Sequence, residues 1–466
     1  MTVRGNILGV ATVFGLVAAL SLPGTALGHA LPQSSVPSPG AQLTSSPSQV
    51  TIVFGERPDP NLSTLKVLDT TGSSVTAGPT APVAGNAVEL AVPLKSSLPD
   101  GVYTVAWRTV SAVDGHLATG SFAFGIGVAP PTAGSTGAAT ISTSAGPSNG
   151  AIAARWLLYL GMVGLLGLAV FGALVAHGSP ASVRRVLPIA WLISALGTGL
   201  VIAFQLSDAG VDPAKVFQTS FGGAIVARTI PVLVAGAATV LVAMRRWRER
   251  LALVVAGLGA AGAMIADVAF SHAAAGGDPL LQVPVQVFHV LAVGFWLGGL
   301  LGLLINLRGD PSEMSARLAT RFSRLAMVGI AVVWATGLVR AISEIGTVDN
   351  LLSSDFGHLV IAKTALLGVL ALLGAVNHFR HVPAAGQALT GLRRLGSTEL
   401  LVGSTVLLLS ASLVNLAPPA ETANASTPAG QIQPIELSGS DFGTSLKLQL
   451  DVSPGSAGFN TFKATV

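Results

Sequence analysis

The chain has 466 residues, 51% hydrophobic and only 10% charged, with a formal net charge of +4. Soluble domains carry about a quarter charged residues, so an ordinary cytosolic enzyme is excluded. The pI near 9.8 reflects too small a basic excess over this length to be a nucleic-acid footprint. The absence of cysteine excludes disulfides, thiolate zinc sites, iron–sulfur clusters and cysteine nucleophiles. Any metal must be held by His, carboxylate, Met or a backbone group.

Residues 1–28 read as an export signal. Arg4 is the positive n-region, Ile7 to Leu22 the apolar core, Pro23 and Gly24 the break, and Ala26-Leu27-Gly28 a small-x-small cleavage site. Cleavage after Gly28 makes His29 the new N-terminus; the alternative is an uncleaved signal that anchors the chain. A free α-amine beside an imidazole is a bidentate nitrogen chelator suited to Cu(II).

Residues 29–128 change to short alternating runs at 50–54, 62–68, 88–92, 102–110 and 121–126, with a Thr71-Gly72 turn. That spacing predicts an all-β antiparallel sandwich, and about 100 residues suffice for its core. Trp107 and Phe122 are expected in that core. Near its end lies Val110-Ser111-Ala112-Val113-Asp114-Gly115-His116. On an extended segment Asp114 and His116 project to one face. With the amine and ring of His29 they make a three-nitrogen, one-oxygen set, and tetragonal N,O coordination favours Cu(II). Taken alone, the stretch reads equally as an Asp-Gly turn with an exposed His; the mature N-terminal His tips the balance towards metal.

The stretch resembles the CopC copper resistance family, whose fold is a cupredoxin/Ig-like sandwich. The resemblance rests on His29-Ala30, Ser35-Val36-Pro37-Ser38-Pro39-Gly40, Phe54-Gly55-Glu56 and Trp107-Arg108 through His116. It implies Cu(II) bound by His29, Asp114 and His116. Some relatives add a Met-rich Cu(I) site; residues 29–128 contain no Met, so no soft site is expected there.

Residues 129–150 are an uncharged Pro/Thr/Ser/Gly/Ala stretch that reads as a tether. In 151–416 eight apolar segments are long enough to span a bilayer, at 152–175, 187–207, 222–243, 251–270, 284–305, 322–342, 358–377 and 398–416. With the β domain outside, the inner loops hold Arg184 and Arg185, the four arginines of 245–250, then Arg308, Arg317, Arg321 and Arg324, and finally Arg380, Arg393 and Arg394. The outer loops hold only Lys215. The positive-inside rule then places this chain in the cytoplasmic (inner) membrane as a multi-pass protein, with its N-terminal domain and C-terminus outside.

Ionisable residues within spans are costly and carry a functional expectation. Arg228, Asp267, His289, Arg340 and Lys363, with His272 and His358 at span ends, all fall towards the outer side. His289 stands five residues past Pro284, roughly 7–8 Å deep, with Trp296 seven residues on. A relay of His289, His272, Asp267 and His358 would accept a metal from the β domain. The alternative is an internal ion-pair network, Asp267 with Arg228 or Lys363, that only holds helices together. Gly298 and Gly299 read as a close helix contact. Met264 is the one Met in an outer-half span position, which argues against a soft Cu(I) relay. His177, His378 and His381 lie at inner ends, as an exit or simply solvated.

His289-x-x-Ala292-x-x-x-Trp296-x-Gly298-Gly299, Ser271-His272-Ala273 and Phe356-Gly357-His358-Leu359 with Lys363 and Asn377 resemble the CopD copper permease family. His378 stands where that family has Arg, and Glu399 matches its acid opening the last span. Trp296, Lys363, Arg228 and Glu399 are structural or gating candidates. In the tail, 417–466, a Pro/Ala/Thr/Ser linker precedes alternation at Leu446, Leu448, Leu450 and Val452 and again at Phe462, Ala464 and Val466, a short β hairpin too small to stand alone.

The sequence therefore reads as a mixed multidomain chain: an exported all-β sandwich, an all-α eight-helix transmembrane bundle and a C-terminal hairpin. The expected activity is capture of Cu(II) outside and passage of copper across the membrane, without enzymatic chemistry; Asp114 as a further ligand argues against an open oxygen-activating site. The expected partners are the copper ion, the lipid bilayer and an exported copper chaperone or cuproenzyme recipient, with no nucleic acid. No Gly-x-x-x-x-Gly-Lys-Ser/Thr is present, so no nucleotide is expected. The competing classes are a membrane electron-transfer protein with haem on paired His, and an anchored copper scavenger or sensor.

Overall fold

The computed structural model describes residues 32–112, 115, 117–130, 140–143, 148–210, 213–214, 216–244, 249–271, 278–414, 416, 419, 435–440, 447–453 and 461–465. The chain forms two compact units, one of strands and one of helices.

In the β unit, β1 (Pro32–Val36), β3 (Gln49–Phe54), β5 (Ala81–Val83) and β6 (Asn86–Pro93) form a sheet in the order β1-β3-β6-β5. A second sheet has the order β2 (Gln42–Leu43), β8 (Leu117–Ile126), β7 (Gly101–Val110), β4 (Thr64–Leu68), with β9 (Thr140–Thr143) also on β8. Alternation decides which residues go inside. Val50, Ile52 and Phe54 of β3 and Tyr103, Val105 and Trp107 of β7 are buried in one core that both sheets enclose. Each such side chain contributes about 1.5–3 kcal/mol. Trp107 and Phe122 are core residues, as expected, and Trp107 meets Phe54 edge-on at 6.2 Å. Gly72 turns the chain after Thr71 with φ +80, a conformation open to glycine.

The pattern misses β1, β2, β5 and β9. In β1 and β5 the strands are short, contain proline and bury none of their residues fully, so the period-2 signal of a half-buried strand is absent; both are sheet edges, where proline is tolerated. β2 runs parallel to β8, an exception to the expected antiparallel order. The expected C-terminal hairpin is present as β11 (Lys447–Ser453) and β12 (Thr461–Thr465), and β10 (Ile435–Ser440) adds a third antiparallel strand.

Among the described residues, eight helices are long and apolar enough to cross a membrane: α1 (Asn149–Val175), α2 (Ala181–Ser207), α3 (Gly222–Ala243), α4 (Glu249–Ala269), α5 (Pro279–Asn306), α6 (Glu313–Ile345), α7 (Asp355–His381) and α8 (Thr390–Leu413). α1 is the central helix, packing on α4, α5 and α8. Its crossing with α5 is as close as backbone allows: a Cβ on Gly298 would overlap the Val163 carbonyl, and one on Gly167 the Gly298 backbone. Gly298 thus serves the expected close helix contact. Trp156 donates to the Ser404 carbonyl at 3.0 Å, tying α1 to α8, and Trp191 to the Val232 carbonyl at 2.9 Å, tying α2 to α3. Leu196, Leu233, Leu338 and Leu372 point outward, which suits a helix bundle solvated by lipid tails. α1, α5 and α7 each contain one π-helical turn, at Phe171–Val175, Gly294–Gly298 and Asn377–His381.

Candidate metal centre and intramembrane polar sites

His29, Asp114, His116 and His272 lie outside the described residues. The backbone around the first three is nevertheless well framed. Val110, the last residue of β7, pairs with Leu117, the first of β8, and Ser111, Ala112 and Gly115 are the described residues between them. Gly115 sits at φ +77 and its N–H donates to the Ser111 carbonyl at 3.1 Å. Ser111 bridges Pro58, and the Ala112 N–H donates to the Arg57 carbonyl at 2.9 Å. Pro32, at the start of β1, pairs with Phe54. The start of β1 and the Ser111-Ala112 pair that follows β7 are therefore both anchored to one short segment, 54–58. That segment carries Glu56, buried at 5% exposure, and is followed by buried Asp59, whose Oδ1 accepts from the Asn61 N–H at 2.9 Å. Glu56 stood out in the sequence only as a strand-end acid; its burial is visible only in three dimensions.

In the helical unit, Asp267 of α4 pairs with Arg228 of α3 at 2.8 Å. Of the two expected partners for Asp267 the fold selects Arg228. Arg228 is 5% exposed, and its Nε has no partner among the described residues. Tyr159 of α1 lies within electrostatic range of this pair.

His289 is the centre of a second group. Helix α5 starts at Pro279, five residues before the expected span, so His289 lies about 15 Å along it at 1.5 Å per residue. Its Nδ1 is 2.9 Å from Thr336 Oγ1 of α6. The Thr336 hydroxyl donates to the Val332 carbonyl at 2.6 Å, so it accepts from His289 Nδ1–H, which leaves Nε2 as the ring acceptor. Gly337 of α6 lies against the ring, a Cβ there falling at an ordinary contact distance of 3.6 Å from Cε1. The charges felt at His289 are those of Lys363 and Arg340. Arg340 is itself bonded to Glu344 and, at 3.3 Å, to Gln282 Oε1. Glu344 and Gln282 were missed in the sequence because each stands near a helix end, where polar residues are ordinary.

Trp296 is buried against Gly329 of α6, and the π-helical turn that contains it breaks the regular seven-residue phase from His289. His358 is exposed and its Nε2 lies 2.9 Å from the Leu352 carbonyl. The structure thus surrounds His289 with Thr336, Arg340 and Lys363 and engages Asp267 and His358 elsewhere. Among the described residues no three His, Asp or Glu gather as a metal site.

At the arginine-rich end, Glu399 of α8 is 3% exposed and accepts from Asn377 Nδ2 of α7. Ser323 Oγ is 2.7 Å from His378 Nδ1. Arg393 donates to the Leu307 and Gly309 carbonyls, and Arg321 to the Val175 carbonyl at 3.2 Å. These arginines cover carbonyls left unpaired at helix C-termini.

The CopC domain model matches residues 32–127, and the copper resistance protein D model residues 316–413. The chain is 27% identical over 473 residues to copper transport protein CutJ of Bacillus subtilis (strain 168), covering 96% of this chain and 83% of that relative. It is 27% identical over 260 residues to copper resistance protein D of Pseudomonas syringae pv. tomato, covering 51% of this chain and 84% of the relative. The crystal structure of CopC from Methylosinus trichosporium OB3b matches 21% of this chain and 93% of its own, with 30% identity and a TM-score of 0.20. The β unit carries a CopC domain and the helical unit a copper resistance protein D domain, an order on one polypeptide in which the chain is similar to a copper transport protein over 96% of its length.

Proposed function

We propose that this protein binds Cu(II) outside the cytoplasmic membrane through His29, Asp114 and His116, and that its helical unit passes copper inward. The observation that supports the binding site most directly is the shared segment 54–58, to which β1 and Ser111-Ala112 are both anchored. His29 is three residues before Pro32, and three residues of chain reach about 10 Å at most. A relative aligned over nearly the whole chain is named a copper transport protein, which supports transport as the task of the helical unit. The arginines of the loops, on one side of the bundle, support an orientation with both termini outside.

Two measurements test this. Cu(II) affinity of the full chain should fall at least tenfold, about 1.4 kcal/mol, in His29→Ala and in His116→Ala; unchanged affinity in both sinks the site. Copper accumulation in cells should fall in His29→Ala and in His289→Ala.

A second reading, an anchored copper scavenger, rests on the cationic side chains of Arg340 and Lys363 beside His289, which oppose a metal cation there. Intact uptake in His289→Ala, with Cu(II) binding retained by the β unit, would favour it.

A further inference from the structure

Glu399 is a buried acid without a cationic partner. It lies nine residues into α8, about 13 Å along the axis, and is 3% exposed. Asn377, the first residue of the π-helical turn of α7, is 6% exposed and donates from Nδ2 to Glu399 Oε1. The other amide atom, Asn377 Oδ1, is buried with no hydrogen-bond partner among the described residues. Glu399 Oε2 faces Gly374, where a Cβ would fall 3.9 Å away.

The charged and titratable groups on the surrounding helices are committed elsewhere or exposed. On α7, His378 bonds Ser323 and the His381 ring lies against Gly391. On α6, Arg321 is bonded to the Val175 carbonyl and Arg324 is exposed. On α8, Arg393 is bonded to two carbonyls and Arg394 is exposed. Helix α5 presents Leu297 and Leu304 to α8. Among the described residues no ion pair reaches Glu399.

We propose that Glu399 and Asn377 form a proton-exchange site in the arginine-rich half of the helical unit. In one state the carboxylate accepts from Asn377 Nδ2. Protonation forms an O–H bond on Oε1 as hydronium gives up one of its own and leaves as water. The Asn377 amide then turns over, and Oδ1 accepts from the new hydroxyl. The unpartnered Oδ1 is the acceptor that this second state requires, and a π-helical turn is a common setting for such adaptable side chains. Metal ions fit less well. Three oxygens fall short of the six or more that Mg²⁺ or Ca²⁺ takes, and an all-oxygen set does not select copper.

The site does not depend on copper movement, and its test reads the proton itself. Infrared difference spectra of the full chain in nanodiscs, recorded across pH, should show a protonated-carboxyl band that is lost in Glu399→Gln. The same band should shift in Asn377→Ala, where the amide acceptor is gone, and return in Glu399→Asp. A wild type without a titrating carboxyl band, or an identical band in Glu399→Gln, overturns the proposal. Should Glu399→Gln not fold, an unshifted band in Asn377→Ala overturns it equally.

Discussion

Asp267 and Glu399 are both carboxylates within membrane-spanning helices, yet the fold gives them opposite company. Asp267 sits near the end of α4 and is held by a guanidinium on α3. Glu399 is deeper in its helix and is held by a neutral amide on α7. Taking a charge out of water costs several kcal/mol unless a partner compensates. The ion pair supplies an opposite charge and joins two helices. The amide compensates in part and leaves a polar oxygen over, so the same residue class becomes a strut at one end of the bundle and an adaptable group at the other.

The largest effect that tests this contrast is at Arg228. Arg228→Met strands the Asp267 charge and should destabilise the detergent-solubilised chain by about 3–5 kcal/mol, read from thermal unfolding. The double variant Arg228→Met/Asp267→Leu should recover most of that loss. Equal losses in the single and double variants would show that the pair is no strut. Asn377→Leu removes the partner of the other acid and should cost less, about 1–3 kcal/mol, because only a hydrogen bond is lost. A loss as large as that of Arg228→Met would erase the distinction.

The smallest effect is at a carboxylate in water. The Asp69 carboxyl accepts from the Thr71 hydroxyl at 2.6 Å and from the Thr71 and Ser73 amides. The Thr71 hydroxyl first, and then the Ser73 amide, hold its pKa below the usual 3.8. A lowered folded-state pKa stabilises above the unfolded value and is lost as pH falls through the folded one. Amide exchange at Thr71 and Ser73 should therefore speed up in Asp69→Asn near neutrality, and the difference from wild type should shrink below pH 3.8. A difference that persists in acid would assign the protection to something other than this carboxylate.

Much of this was legible in the residues. The alternating strands β3, β4, β6, β7 and β8 and all eight long helices follow from period and length. Gly298 announced a close helix contact, and the pair of candidates for Asp267 included the right one. What escaped had weak local signals. Edge strands such as β1 bury too little to alternate. The π-helical turns have no sequence signature, so the phase between His289 and Trp296 could not be counted through one.

By itself the sequence determined composition-level properties: the bilayer-length helices, the loops that carry the arginines, and the exclusion of thiolate ligands by the absence of cysteine. Those depend on counts, runs and spacing, which are local. Only the tertiary structure decided partners. That Asp267 meets Arg228, that Lys363 and Arg340 surround His289, and that Glu399 meets Asn377 depend on helix crossings. Those crossings are set by backbone contacts such as Gly167 on Gly298, between residues more than a hundred positions apart in the chain.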